Sequence, residues 1–127
     1  MSAKTFFNSE QNVIETHLEG DIHYYDVLDF IKNMVNLTIE TRCYSWIVDY
    51  TKARYKLSTL EIHDLPKASS EIISVLEERK TLVRRAIIRV MDKEDFSFLE
   101  NTAVNRGENL RVFSNRKEAQ EWLGKDR

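Results

Sequence analysis

Between residues 24 and 49 the hydrophobic pattern changes period once, and that change restricts the fold more than any other feature of the chain. Tyr24, Val27, Leu28, Ile31, Met34 and Val35 recur at the three- and four-residue spacing of one helical face. Cys43-Tyr44-Ser45-Trp46-Ile47-Val48-Asp49 then runs almost without a polar break, as a central strand covered on both faces does. An amphipathic helix feeding a doubly buried strand is the repeating step of a parallel sheet wrapped by helices.

The flanking segments extend this step. Thr5-Phe6-Phe7 and Val13 to Leu18 read as two strands around the polar turn Asn8 to Asn12, with Ile14, Thr16 and Leu18 alternating against more polar neighbours. Gly20 and Asp21 are expected to end the second strand and start the helix. Lys52 to Leu57 reads as a connection, and Ser58-Thr59-Leu60-Glu61 matches a capping box. The helix so begun is expected to break near Pro66, which suits the first turn of a new helix carrying Ile72, Ile73 and Leu76, with Arg79 and Lys80 at its negative end.

Arg85 to Met91 reads as a further buried strand, and Asp92 with Asp95 opens a helix bearing Phe96, Leu99, Ala103 and Val104 and closed by Gly107. The end of the chain, Arg111-Val112-Phe113 followed by Asn115 to Gly124, is a strand turning into a helix. Asn115 caps it with Glu118 reaching back, Ala119, Trp122 and Leu123 share a face, and Gly124 is placed for a left-handed stop. Strands alternating with helices imply right-handed crossovers. The expected fold is α/β: a single-domain sandwich over residues 1–127, with a mostly parallel five-stranded sheet and an antiparallel N-terminal hairpin strand.

Totals exclude several classes. A chain of 127 residues, 42% apolar and 31% charged, has the make-up of one globular domain. Three Gly and one Pro leave no low-complexity tail or flexible linker. The single cysteine, Cys43, permits no internal disulfide and suits a reducing compartment. The first residues lack the apolar core of a signal peptide, and no apolar run approaches the ~20 residues that span a bilayer, so a cytoplasmic location is expected. Net charge is −2, with residues 1–40 holding two Lys against seven Asp and Glu. That balance argues against a nucleic-acid binder.

The order of elements, with Leu18-Glu19-Gly20, Ile47-Val48-Asp49, Arg85-Ala86-Ile87-Ile88 and the closing Arg111-Val112-Phe113, Glu118-Ala119 and Trp122-Leu123, resembles the SpoIIAA-like branch of the STAS domains. That branch holds the anti-sigma-factor antagonists and is sometimes grouped with lipid-binding SEC14-type domains. The resemblance covers residues 12–124 and implies a non-catalytic regulatory module with a protein partner, and it allows a homodimer. The antagonists carry a switch serine in an Asp-Ser-Ser-Gly motif after the third strand. The corresponding residues are Leu57, Ser58, Thr59 and Leu60, which keep the hydroxyls and lack the Asp and Gly. A phosphate on Ser58 or Thr59 would meet the positive end of a helix and the cations Lys52, Arg54 and Lys56. The simpler reading makes Ser58 a helix cap alone, stabilising by about 1 kcal/mol.

Other residues carry less chemistry. His17 and His23 lie six apart across a strand end, which is no metal-ligand spacing; with His63 they read as surface or boundary residues, and no metal or cofactor is expected. Cys43 reads as a small core hydrophobe without a nearby base. Gly20, Gly107 and Gly124 each end an element and form no phosphate loop. Arg79, Lys80, Arg84, Arg85 and Arg89 are the densest cations. Arg85, Ile87 and Arg89 should share one strand face, partly open or paired with acids, where an anion or an acidic partner would bind. The aromatic residues near the sheet, Phe6, Phe7, Tyr44, Trp46, Tyr50 and Tyr55 among them, fill a core or line a pocket for a small apolar or amphipathic ligand, as the lipid-binding relatives imply.

Overall fold

The computed structural model describes residues 2–89 and 109–124. Its elements are β1 (Ser2–Asn8), β2 (Val13–Ile22), α1 (Tyr24–Thr41), β3 (Ser45–Tyr55), α2 (Thr59–Ile73), β4 (Arg84–Ile88), β5 (Asn109–Phe113) and α3 (Arg116–Leu123). The strands lie side by side in chain order. β1 is antiparallel to β2, and β2 to β5 run parallel. The expected α/β sandwich with a mostly parallel five-stranded sheet is therefore what forms. The helix expected from Asp92 to Gly107, and Val90 and Met91, expected to end the fourth strand, lie outside the described residues.

Two apolar layers hold the sheet. On one face Val27, Phe30, Ile31, Met34 and Val35 of α1 and Leu65 and Ile73 of α2 pack on Ile14, Leu18, Trp46, Val48 and Ile87. On the other, Ala119 and Leu123 of α3 meet Val13, Ile47, Ala86 and Ile88. The period-two alternation of each strand divides its residues between these layers. Trp46 is fully buried, and its indole N–H donates to Thr38 Oγ1 at 2.8 Å while that hydroxyl donates to the Met34 carbonyl at 2.9 Å.

One irregularity decides where several charged residues point. Between the pairs His17–Asp49 and Glu19–Lys52, β2 advances two residues and β3 advances three. The extra residue is a β-bulge, and it exchanges the two faces of β3. Trp46, Val48 and Tyr50 face the helix pair before the bulge, whereas Ala53 and Tyr55 pack on that same core after it. Just beyond, Gly20 takes φ 85° opposite Ala53, a left-handed conformation that favours glycine.

Four local expectations are corrected. Gly20 and Asp21 do not end β2, which runs to Ile22 beside the lengthened β3; α1 starts at Tyr24, with Asp26 accepting from the His23 N–H at 2.8 Å. Lys52 to Tyr55 are strand, not connection, because both strands continue pairing past the bulge. Pro66 lies inside a continuous α2, buried beside Leu65; the break comes at Glu77 (φ 55°, ψ −124°), between two 3-10 turns within Ser74–Leu82. Gly124 stops α3 in a right-handed conformation (φ −84°, ψ −4°).

Candidate functional site

Ser58 stands at the exposed start of α2, where β3 ends. The Glu61 N–H donates to Ser58 Oγ at 3.1 Å, and the Ser58 N–H donates to Glu61 Oε1 at 2.9 Å, completing the capping box read in the sequence. Ser58, Thr59 and Leu60 all face solvent, and Leu60 keeps 80% of its area exposed. The start of α1 lies alongside: the Tyr24 hydroxyl donates to Asp64 of α2. That bond, with burial and the nearby acids, pushes the Tyr24 phenol up to about 12. Tyr25, 73% exposed, stands edge-on to Tyr24. The Lys56 N–H donates to the Ile22 carbonyl at 2.8 Å, joining the two connections. Both helix starts thus follow the carboxyl ends of parallel strands, the end of an α/β sheet that usually carries its site.

The cations expected around Ser58 divide. The bulge turns Lys52 and Arg54 to the α3 face, where Lys52 Nζ lies 3.8 Å from Glu19 Oε1 and Arg54 3.2 Å from Asp21 Oδ1. Lys52, Glu19 and Arg54 are exposed and Asp21 is half-buried. Arg85 lies on the opposite face with Ile87, as the alternation predicts. Around Arg85 that face is closed, since Arg85 is buried and with Phe30, Tyr50, Tyr55 and Leu65 lines a cavity of about 40 Å³, while Arg89 at the strand end is half-buried. Burial raises the Tyr50 phenol, against the hydrogen bond from Tyr55 and the charges of Arg85 and Arg89. The Arg89 guanidinium lies 6.0 Å from the centroid of the Tyr55 ring.

The sequence gives no notice of a polar cluster on the α3 face. The carboxylate of Glu15 is buried in the sheet and takes both ends of the Arg116 guanidinium, at 2.7 and 2.8 Å. Asn8 Nδ2 and His17 Nε2 each lie 2.8 Å from its oxygens. Burial works to raise the Glu15 pKa, but hydrogen bonds from Arg116, Asn8 and His17 and the Arg116 charge override it, lowering the value from 4.5 to about 2. The Glu15 hydrogen bond likewise raises Arg116. His17 Nδ1 lies 3.5 Å from Asp49 Oδ2, and the ring stacks on Phe6 at 5.7 Å. His17 is half-exposed, the boundary position expected of it, and it also joins this network around Glu15. Cys43 is buried, its thiol 3.3 Å from the Asn12 carbonyl. Among the described residues no group of three or more His, Cys, Asp or Glu is placed to hold a metal ion. No described helix is long and apolar enough to cross a membrane.

No protein-family model matches the chain, and no curated protein does. Solved structures do. The anti-sigma-factor antagonist SpoIIAA in its unphosphorylated form superposes with a TM-score of 0.56 at 10% identity, over 98% of this chain and 100% of that one. The fold is SpoIIAA-like. An uncharacterised protein from Shewanella loihica with a SpoIIAA-like fold gives 0.58 at 11% identity, covering 96% of this chain and 92% of that one. The phosphorylated form of SpoIIAA, described as a Bacillus cell-fate determinant, gives 0.54 at 8% identity, covering 96% and 99%.

Within this SpoIIAA-like fold the candidate residues form two separate groups. Ser58 and Thr59, with Leu60, occupy the exposed start of α2, while Arg85 is enclosed beneath the helices. Lys52 and Arg54 belong to neither, being drawn to Glu19 and Asp21 on the far face.

Proposed function

We propose that this chain is a non-catalytic regulatory module that binds another protein through the exposed start of α2, with Ser58 as its control point. The observation that carries the reading is the exposed hydroxyl pair Ser58–Thr59 at the positive end of a 15-residue helix, beside the exposed Leu60 and Tyr25. A phosphate there would be drawn to the unpaired N–H groups of the first turn. The same phosphate would repel Glu61 and so open the capping box, altering the very surface a partner meets. SpoIIAA is known in phosphorylated and unphosphorylated forms, which supports a switch of this kind on this fold.

The test compares three variants for binding to the partner isolated with the wild-type chain. Ser58→Asn keeps a capping acceptor without charge and should bind as wild type. Ser58→Asp adds charge at the cap and should weaken binding about tenfold or more; equal binding by the two removes the switch. Leu60→Asp should abolish binding outright.

The cavity under α1 and α2 favours a second reading, a carrier of a small amphipathic molecule held by its apolar walls and Arg85. Its volume of about 40 Å³ accommodates roughly three waters, well below the ~300 Å³ at which ligand pockets begin, so the helices would have to part for any lipid-like guest. A native mass spectrum showing an adduct that disappears on denaturation would establish the carrier.

A further inference from the structure

We propose that the groove between β1 and α1 binds an extended, basic peptide segment of a partner protein, which adds to the outer edge of β1 as a further strand. This surface is separate from the start of α2, and the inference does not depend on the role of Ser58.

The first observation is the edge itself. Over seven successive residue pairs, from Ser2–Glu19 to Asn8–Val13, β1 pairs with β2 without a bulge. Among the described residues no strand pairs with its other side. Strands at a sheet edge are usually blunted by Pro, a bulge or several charges. Here β1 carries one Lys and neither of the other devices. Its outer N–H and C=O groups are a template for an added strand.

The second observation is the wall facing that edge. α1 stands off from β1 and leaves an open groove of about 480 Å³. Ala3 and Thr5 form the strand side, and the partly buried Leu37 and the buried Phe30 lie at the base. The helix side presents Asp26, Asp29, Asn33 and Asn36, one helical face at three- and four-residue spacing. Two carboxylates and two carboxamides line this wall, and among the described residues no cation lines the groove. An extended peptide on β1 would direct every second side chain toward it, at a repeat of about 6.7 Å. Cationic side chains are the complementary choice.

The same charges select against a second copy of the chain. Pairing β1 with β1 of another molecule would set two α1 helices on one face of the joined sheet, with their Asp26 and Asp29 rows turned toward each other. A basic partner meets no such repulsion.

The experiment uses the whole chain and an acetylated, amidated octapeptide alternating Lys with Val, against its Glu-for-Lys counterpart. Fluorescence anisotropy reads affinity and amide hydrogen exchange reads β1. The Lys peptide should bind, slow the exchange of alternate amides within Ala3–Phe7, and lose affinity as salt rises. Asp29→Lys and Asn33→Lys, both at exposed helix positions, should each weaken it about tenfold or more, while Ser58→Asp should leave it unchanged. Equal binding of the Glu peptide, binding that survives Asp29→Lys, or binding without protection of β1 would overturn the proposal. So would a concentration-dependent dimer that protects β1 with no peptide present.

Discussion

Arg116 and Glu15 are 101 residues apart in the chain and form a two-pronged ion pair, at 2.7 and 2.8 Å, that clamps the first turn of α3 onto the beginning of β2. Gln11 extends the clamp by accepting from Arg116 at 2.8 Å and from Gln120 at 2.7 Å. A helix of eight residues has little stability of its own. Its apolar contribution rests mainly on Ala119 and Leu123, so this ion pair fixes where it sits.

The pair makes stability depend on acid. Glu15 ionises near pH 2 in the folded chain and near 4.5 when unfolded. A carboxylate whose folded value is depressed stabilises the fold above its unfolded value, and that contribution is lost as pH falls from about 5 toward 2. The shift corresponds to roughly 3 kcal/mol. Urea unfolding of the wild type should show this decline, and Glu15→Gln should be less stable at pH 7 and much flatter over the same range. Arg116→Ala leaves the buried carboxylate without its main partner and should cost about 3 kcal/mol at pH 7. A pH profile for Glu15→Gln parallel to wild type would contradict the assignment.

Thr38 Oγ1 accepts the hydrogen bond of the buried Trp46 indole. Thr38→Val keeps the shape and removes that acceptor, leaving an unsatisfied N–H in the core at a cost of about 1–3 kcal/mol. The tryptophan emission of the folded variant should shift, with the unfolding midpoint lowered. An unchanged midpoint would mean the N–H finds another partner.

Much of this fold was legible in the sequence, because hydrophobic period reports burial directly. The spacing of Tyr24 to Val35 placed α1, the apolar run ending at Val48 placed β3, and the capping patterns at Ser58 and Asn115 placed two helix starts, with Asn115 Oδ1 accepting from Glu118 N–H at 2.9 Å. What escaped depended on pairing between distant segments. The bulge opposite Leu18 has no signature in β3 alone, so Lys52 and Arg54 were assigned to the Ser58 region when the register sends them to Glu19 and Asp21. Glu15 looked like one polar residue of an alternating strand, and only α3 folding back from the other end of the chain makes it a buried partner of Arg116. Pro66 illustrates tertiary override: burial against the core keeps α2 continuous through a residue that locally opposes it.

Glu77 carries the break that Pro66 does not. Its φ of 55° with ψ of −124° lies where a side chain is strained and glycine is not. Glu77 is exposed, so replacement removes no core contact. Glu77→Gly should therefore raise the thermal midpoint, by an amount corresponding to about 1 kcal/mol, whereas Glu77→Ala should not. Equal effects of the two would show that the strain is absent.

The most direct test of the central claim is photo-cross-linking in the chain's own cells, with a photoreactive residue at Leu60 and, as control, at Ile39 on the exposed side of α1. The account predicts one discrete protein adduct from position 60, absent from position 39, retained with Ser58→Asn and lost with Ser58→Asp. No adduct from position 60, or the same adducts from both positions, would contradict the assignment of the start of α2 as the partner surface.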